Sequence, residues 1–249
     1  MRRLLFLAGG LVVLAVIAVV AYVGVTLWRD DDPELLTEAP AIPTSAAPAT
    51  VSSSPAGSAV GADVLRFVVD PAQSSATYVV REKIARLPVE TDASGTTADV
   101  TSGDVTGKIY LTTRGLAADS KSAVRVDLNT LRSDESLRDR FVRDSTLQTN
   151  RGSNRYADFT LESATGFPTS YVEGQEVALK LTGAMTLHGV TKPITFDVKA
   201  RRQGEFLTAT ADTSFNMSEF GITPPNVSTA RSHDLVRLQV VLVSRLAVG

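Results

Sequence analysis

Residues 177–200, VALKLTGAMTLHGVTKPITFDVKA, constrain this chain more than any other stretch, because they hold two alternating runs joined by a short turn. In the first run Val177, Leu179, Leu181, Met185 and Leu187 share one face, while Lys180, Thr182 and Thr186 share the other. That is period two, the mark of a strand with one buried side. Ile194, Phe196 and Val198 repeat the pattern against Thr195, Asp197 and Lys199. His188-Gly189 supplies the turn chemistry, and Pro193 sits near the head of the second run, where a missing amide costs least. A hairpin with one apolar face is marginal alone, so further strands must cover it.

The rest of the chain supplies them. Phe67 and Val69 lead into the turn dipeptide Asp70-Pro71, and residues 75–80, 106–112, 122–131, 156–164, 206–216 and 235–246 carry strand patterning. Residues 84–105 break the rhythm with a Pro, two Gly and runs of Thr, Asp and Ser. They are expected to form a long exposed loop, either functional at a barrel mouth or a tolerated insertion. Residues 133–144, SDESLRDRFVRD, predict one short amphipathic helix capped by Ser133, with Asp134–Arg138 and Asp139–Arg143 at i,i+4 and Leu137 and Phe141 on one face. The expected fold is all-β: an antiparallel barrel of about eight strands with one short helix, whose interior is either filled or holds one small ligand.

The N-terminal quarter is of another kind. An uncharged run of 25 residues opens at Leu4 and closes at Trp28, and as a helix it spans roughly 37 Å against about 30 Å of hydrocarbon. Arg2 and Arg3 precede it and Asp30, Asp31 and Asp32 follow. The positive-inside rule therefore puts the N-terminus in the cytoplasm and the remainder outside, periplasmic or at the cell surface. A cleaved signal peptide is the rival, with Ala39-Pro40-Ala41 as its site, but the apolar run exceeds the usual length of about 7–15 residues. Residues 30–62, with their Pro, Ala and Ser, read as a disordered linker, and full polyproline extension of 33–62 would reach roughly 90 Å. The expected organisation is thus an anchor over 1–29, a linker over 30–62 and one barrel domain over 63–249.

Composition narrows the chemistry. Residues 63–249 carry 22 Lys or Arg and 22 Asp or Glu, so no basic excess draws nucleic acid. The absence of cysteine removes disulfides, thiolate metal sites and cysteine nucleophiles. The two histidines, His188 and His233, fall in a turn and a loop. A metal site would need both plus a carboxylate such as Asp234, and two surface histidines are the plainer reading. No G-x-S-x-G occurs. Carboxylate pairs such as Asp134-Glu135 fit polar helix starts and loop tips. No catalytic residue, metal or cofactor is expected. The inward apolar groups Phe67, Tyr78, Phe141, Phe159, Leu181, Met185, Phe196, Phe215 and Phe220 either line a ligand cavity or fill the core, and period two cannot distinguish the two.

Three blocks together resemble the YceI-like family: FVVDPAQSSATYVV, the middle block running from SDESLRDRFVRD to YADFTLES, and LTGAMTLHGVTKPITFDV followed by SFNMSEFGI. The resemblance spans residues 66–246. It implies a lipocalin-like barrel around an apolar tunnel that takes a long polyisoprenoid or similar lipid, hence binding or carriage without catalysis. Arg138, Asp139, Tyr156 and Phe159 match the family's middle block and look like fold-fixing residues. Where members often carry a His in the second strand, this chain has Arg81-Glu82. The ligand-binding set that the resemblance favours is the nine apolar residues above. The alternative is a filled barrel that uses its outer loops as a protein-interaction module.

Overall fold

The computed structural model describes residues 35–43, 64–97 and 103–247. Its strands, in chain order, are β1 Leu65–Val69, β2 Ser75–Ile84, β3 Glu90–Thr97, β4 Val105–Thr112, β5 Gly115–Leu116, β6 Ala123–Asp127, β7 Leu131–Arg132, β8 Tyr156–Thr165, β9 Glu176–Leu187, β10 Val190–Gln203, β11 Phe206–Asn216 and β12 Ala230–Leu246. The helix α1, Ser136–Phe141, follows β7 and runs into a π-turn stretch, Val142–Thr146.

The central hairpin is β9–β10, in register from Leu187 opposite Val190 to Glu176 opposite Arg201. Both turn residues have positive φ, His188 at 52° and Gly189 at 77°, which suits the mirror-image turn that matches strand twist. On the outer face Thr182–Thr195 and Thr186–Thr191 hydroxyls meet at 2.8 Å, and Lys180 pairs with Asp197. Each such cross-strand pair contributes a few tenths to about 1 kcal/mol.

Eleven of the twelve described strands occupy eight positions in a closed antiparallel barrel, because three positions are built from two pieces each. β1 and β2 lie end to end along one edge of β12, with Val69 opposite Ser244 and Ser75 opposite Val241. The kink between them is the expected Asp70-Pro71 turn, where the Asp70 carboxylate accepts the Ala72 amide at 3.0 Å. Collinear β3 and β4 pair with β2 and β1, and β7 and β6 pair with those. β8, β9, β10 and β11 then lead back to β12. The small β5 pairs only with β4. This is a lipocalin-like, all-β, eight-stranded barrel with one short helix.

Two local expectations are corrected. Residues 84–105 are not one long loop, since β3 lies within them and pairs with β2 from Lys83–Glu90 to Thr77–Thr96. Its inward residues are Ala93, Gly95 and Thr97, and the Tyr78 ring of β2 lies over Gly95. A Cβ on Gly95 would fall 2.5 Å from that ring. The helix is capped by Glu135, whose side chain accepts the Leu137 amide, and not by Ser133. Ser133 instead binds the buried Asp139 through both its hydroxyl and its amide, at 2.6 and 2.7 Å, so Asp139 does not pair with Arg143. Arg143 donates to the Leu131 carbonyl.

Nine residues of the stretch expected to be linker, 35–43, form a strap across the outer face of β9–β12. The Gln239 amide group exchanges two hydrogen bonds with the Leu36 backbone, at 2.8 and 2.9 Å. The Ala39 amide donates to Glu176 and the Pro40 carbonyl accepts from Thr208, each at 2.8 Å, while Lys199 donates to the Thr37 carbonyl. Thr208, Thr210 and Gln239 point outward yet are buried, and Ala39 is buried with them. The expected membrane helix over 4–28 lies outside the described residues. Among the described residues no helix is long and apolar enough to cross a membrane.

Candidate ligand cavity

Alternation in every wall strand points one face inward, and the barrel does not fill the space so enclosed. A cavity of about 670 Å³ occupies the end where β2 and β9 finish and β12 begins. Its walls include Tyr78 and Val80 of β2, Leu187 of β9, Phe215 of β11 and Val236 of β12. Residues Leu137, Arg138 and Phe141 of α1 and Val227 of the loop before β12 form the rim. A smaller chamber of about 80 Å³ lies deeper, walled by Ile109, Phe159, Leu161, Leu181, Phe196 and Leu242. Met185, Leu238 and Val240 border both chambers. Folded interiors hold few voids larger than a water, whereas ligand sites usually measure about 300–1,000 Å³. The mouth end of this barrel is therefore hollow, and the far end is packed.

Seven of the nine expected lining residues border a chamber. Tyr78, Phe141 and Phe215 line the large one, and Phe159, Leu181 and Phe196 line the small one. Phe159 and Phe196 meet edge to face at 4.9 Å, and Met185 stands between the chambers. Phe67 and Phe220 line neither. Phe67 is fully buried on β1 at the packed end, paired across to Ile109 and Leu246. Phe220, also fully buried, sits on the turn after β11 and packs edge-on against Phe215 at 5.1 Å.

One polar cluster interrupts the apolar wall at the mouth. Glu82 of β2 is 7% exposed, and its carboxylate accepts a hydrogen bond from Arg138 of α1 at 3.2 Å. Arg138 also donates to Asp134. Burial alone would lower the Arg138 pKa, but Glu82 and Asp134 outweigh it and hold the guanidinium above its ordinary value. A single buried carboxylate would be costly, and the ion pair is what makes Glu82 tolerable beside apolar residues. The i,i+4 spacing of Asp134 and Arg138 signalled half of this cluster, whereas Glu82 lies 56 positions away from Arg138 and left no sequence signal.

Tyr78 shares this neighbourhood, and burial chiefly pushes its hydroxyl up to about 12 from 10, with Arg138 opposing. The unfolded chain then loses this proton first as pH rises. Stability contributed by the neutral phenol is complete below pH 10 and is lost as pH climbs to about 12. Two pKa units correspond to about 2–3 kcal/mol. The expected result is a fall in thermal midpoint across that window which Tyr78→Phe largely removes. Identical alkaline melting of the two proteins contradicts this placement of the phenol.

His233 contacts Glu90 at 3.2 Å, and His188 stays in the β9–β10 turn. Among the described residues no group of three or more His, Cys, Asp or Glu is placed to hold a metal ion.

The barrel agrees with the comparisons. A UPF0312 protein of Vibrio parahaemolyticus is 37% identical over 82 residues, 33% of this chain and 39% of that protein, so the match spans about two-fifths of that curated relative. A polyisoprenoid binding domain from Saccharophagus degradans superposes with a TM-score of 0.53 at 15% identity, covering 74% of this chain and 99% of that one. BcnA of Burkholderia cenocepacia gives a TM-score of 0.51 at 16% identity, covering 70% and 98%. At these identities the two structures speak for the fold alone. The YceI-like domain profile matches residues 67–244, well over half of the sequence, and on that match the chain belongs to the YceI-like family.

Proposed function

We propose that this protein is a membrane-anchored, extracytoplasmic binding protein that carries one long apolar molecule, a polyisoprenoid or other lipid, in its barrel. The observation that carries the proposal is the apolar cavity of about 670 Å³, open at one end and leading toward a second chamber past Met185. The Saccharophagus degradans relative, described as a polyisoprenoid binding domain, supports the ligand class. Burial of ligand surface at about 25 cal/mol per Å² supplies the driving force, offset by the cost of ordering a flexible chain. The Glu82–Arg138 pair gives a polar terminus a place at the mouth. No step of chemistry is needed.

The anchor over residues 4–28, the cytoplasmic N-terminus and the outside location of the barrel belong to the same proposal and rest on Arg2, Arg3 and Asp30–Asp31–Asp32. One preparation tests location and cargo together. Protease added outside intact cytoplasmic membranes should release a barrel fragment lacking residues 4–28, and organic extraction of that fragment should yield a long apolar compound by mass spectrometry. A barrel cut only after lysis contradicts the location. A fragment that never yields lipid contradicts the carriage.

A further inference from the structure

We propose that the 35–43 strap presents the open end of the barrel to a lipid bilayer, whose surface receives the exposed apolar rim of the mouth; this rests on the carrier reading above. Leu137, Phe141 and Val227 border the cavity opening and are 69%, 38% and 45% exposed. Single exposed apolar side chains are ordinary, but three large ones around one opening form a patch with a use. The rim has no strong field to recruit a charged macromolecule, since residues 82–86 and 134–144 together carry five basic and five acidic side chains. Apolar contact decides the partner, and the bilayer interface is also the reservoir from which a water-insoluble ligand must come.

The strap supplies the orientation. Leu36 is bonded to Gln239 of β12, and Pro40 to Thr208, which pairs with Val243. The mouth lies at the Ala230 end of β12, so going back along the strap from Pro40 to Leu36 climbs toward the mouth. Eight peptide steps separate Leu36 from Trp28, at most about 29 Å of chain. From Gln239 to Ser232 at the rim is seven residues, about 23 Å along the strand. A membrane helix ending at Trp28 therefore keeps the bilayer within reach of the mouth. Without the strap, the 37 steps from Trp28 to the first barrel strand at Leu65 would span roughly 115 Å as polyproline.

The chain has no native cysteine, so single labels are clean. The full chain carrying Ser228→Cys beside Val227, or Ser170→Cys in the loop after β8 at the opposite end, is dye-labelled. It is then reconstituted in phosphatidylcholine–phosphatidylglycerol vesicles containing nitroxide lipid. Quenching at 228 should exceed that at 170 at least about threefold. The double change Leu36→Pro with Ala39→Pro removes two strap amides that donate to the barrel but none of the barrel's own bonds, and should bring the two positions level. Equal quenching in the unaltered strap, stronger quenching at 170, indifference to the strap change, or failure to float with the vesicles each overturns the proposal. So does energy transfer between 228 labels on two chains in place of lipid quenching, which assigns the rim to a second copy. Lipid extracted from the same sample keeps the two readings apart. A loaded barrel without mouth quenching overturns only the docking, and mouth quenching with an empty barrel overturns only the carriage.

Discussion

Replacing Met185 by Trp should empty the barrel of its ligand while leaving the fold standing. Met185 is 3% exposed and borders both chambers, so an indole there projects into the path between them. In a filled core the added volume would cost about 1–3 kcal/mol. Here the large chamber of about 670 Å³ lies beside the side chain and can accept the ring, so the ligand-free protein should lose less than about 1 kcal/mol. The proposed long ligand then has no route to the deep chamber, and lipid recovered per mole of protein should drop at least tenfold. Stability is to be compared after delipidation and lipid content before it. A variant that melts far below wild type while its lipid content is unchanged contradicts the position given to Met185.

Gly183→Val should be among the most damaging single changes in the barrel. Strand propensity favours Val over Gly by up to about 1 kcal/mol, and on that ground alone the change would stabilise β9. The site forbids it. An added Cβ would stand 2.2 Å from the Thr160 carbonyl oxygen and 2.9 Å from the Phe159 ring, and the first of these is backbone, which cannot swing aside. β8 is already irregular between Leu161 and Ser163, opposite this glycine. The clash should outweigh the propensity, giving a net loss of about 3 kcal/mol or more by chemical denaturation. Near-wild-type stability would mean that β8 and β9 are spaced more widely than the structure places them.

The central hairpin was legible because three signals coincide there: alternation on both strands, His188-Gly189 between them, and opposite charges at Lys180 and Asp197. β3 lacked the alternation and the turn pair, and its opposite charges, Asp92 against Arg81, do not mark a strand by themselves. Its inward positions are Ala93, Gly95 and Thr97, of which Gly95 lies under the Tyr78 ring, and small residues mixed with Thr, Ser and Asp look like loop. The strap was hidden for a different reason. Its bonds run from backbone groups to outward side chains of distant strands, Gln239, Glu176 and Thr208, and a Pro- and Ala-rich segment docked in that way has no period to detect.

Within the site, aromatic and large apolar bulk selected seven residues that border a chamber, but bulk could not tell wall from core, and so took in Phe67 and Phe220 as well. It also passed over Leu238 and Val240, aliphatic members of a strand whose alternation was plain and which border both chambers. Nor does period two report the space left between inward faces: the hollow mouth and the packed far end have the same pattern.

The most direct test of the account is titration of the delipidated full chain with a polyprenol of defined length, followed by native mass spectrometry and thermal melting. The cavity predicts saturation at one molecule per barrel, a thermal midpoint that rises with free ligand, and neither effect in the Met185→Trp protein. A wild-type barrel that takes up no polyprenol at any length, or a Met185→Trp barrel that takes it up equally well, would contradict carriage through this cavity.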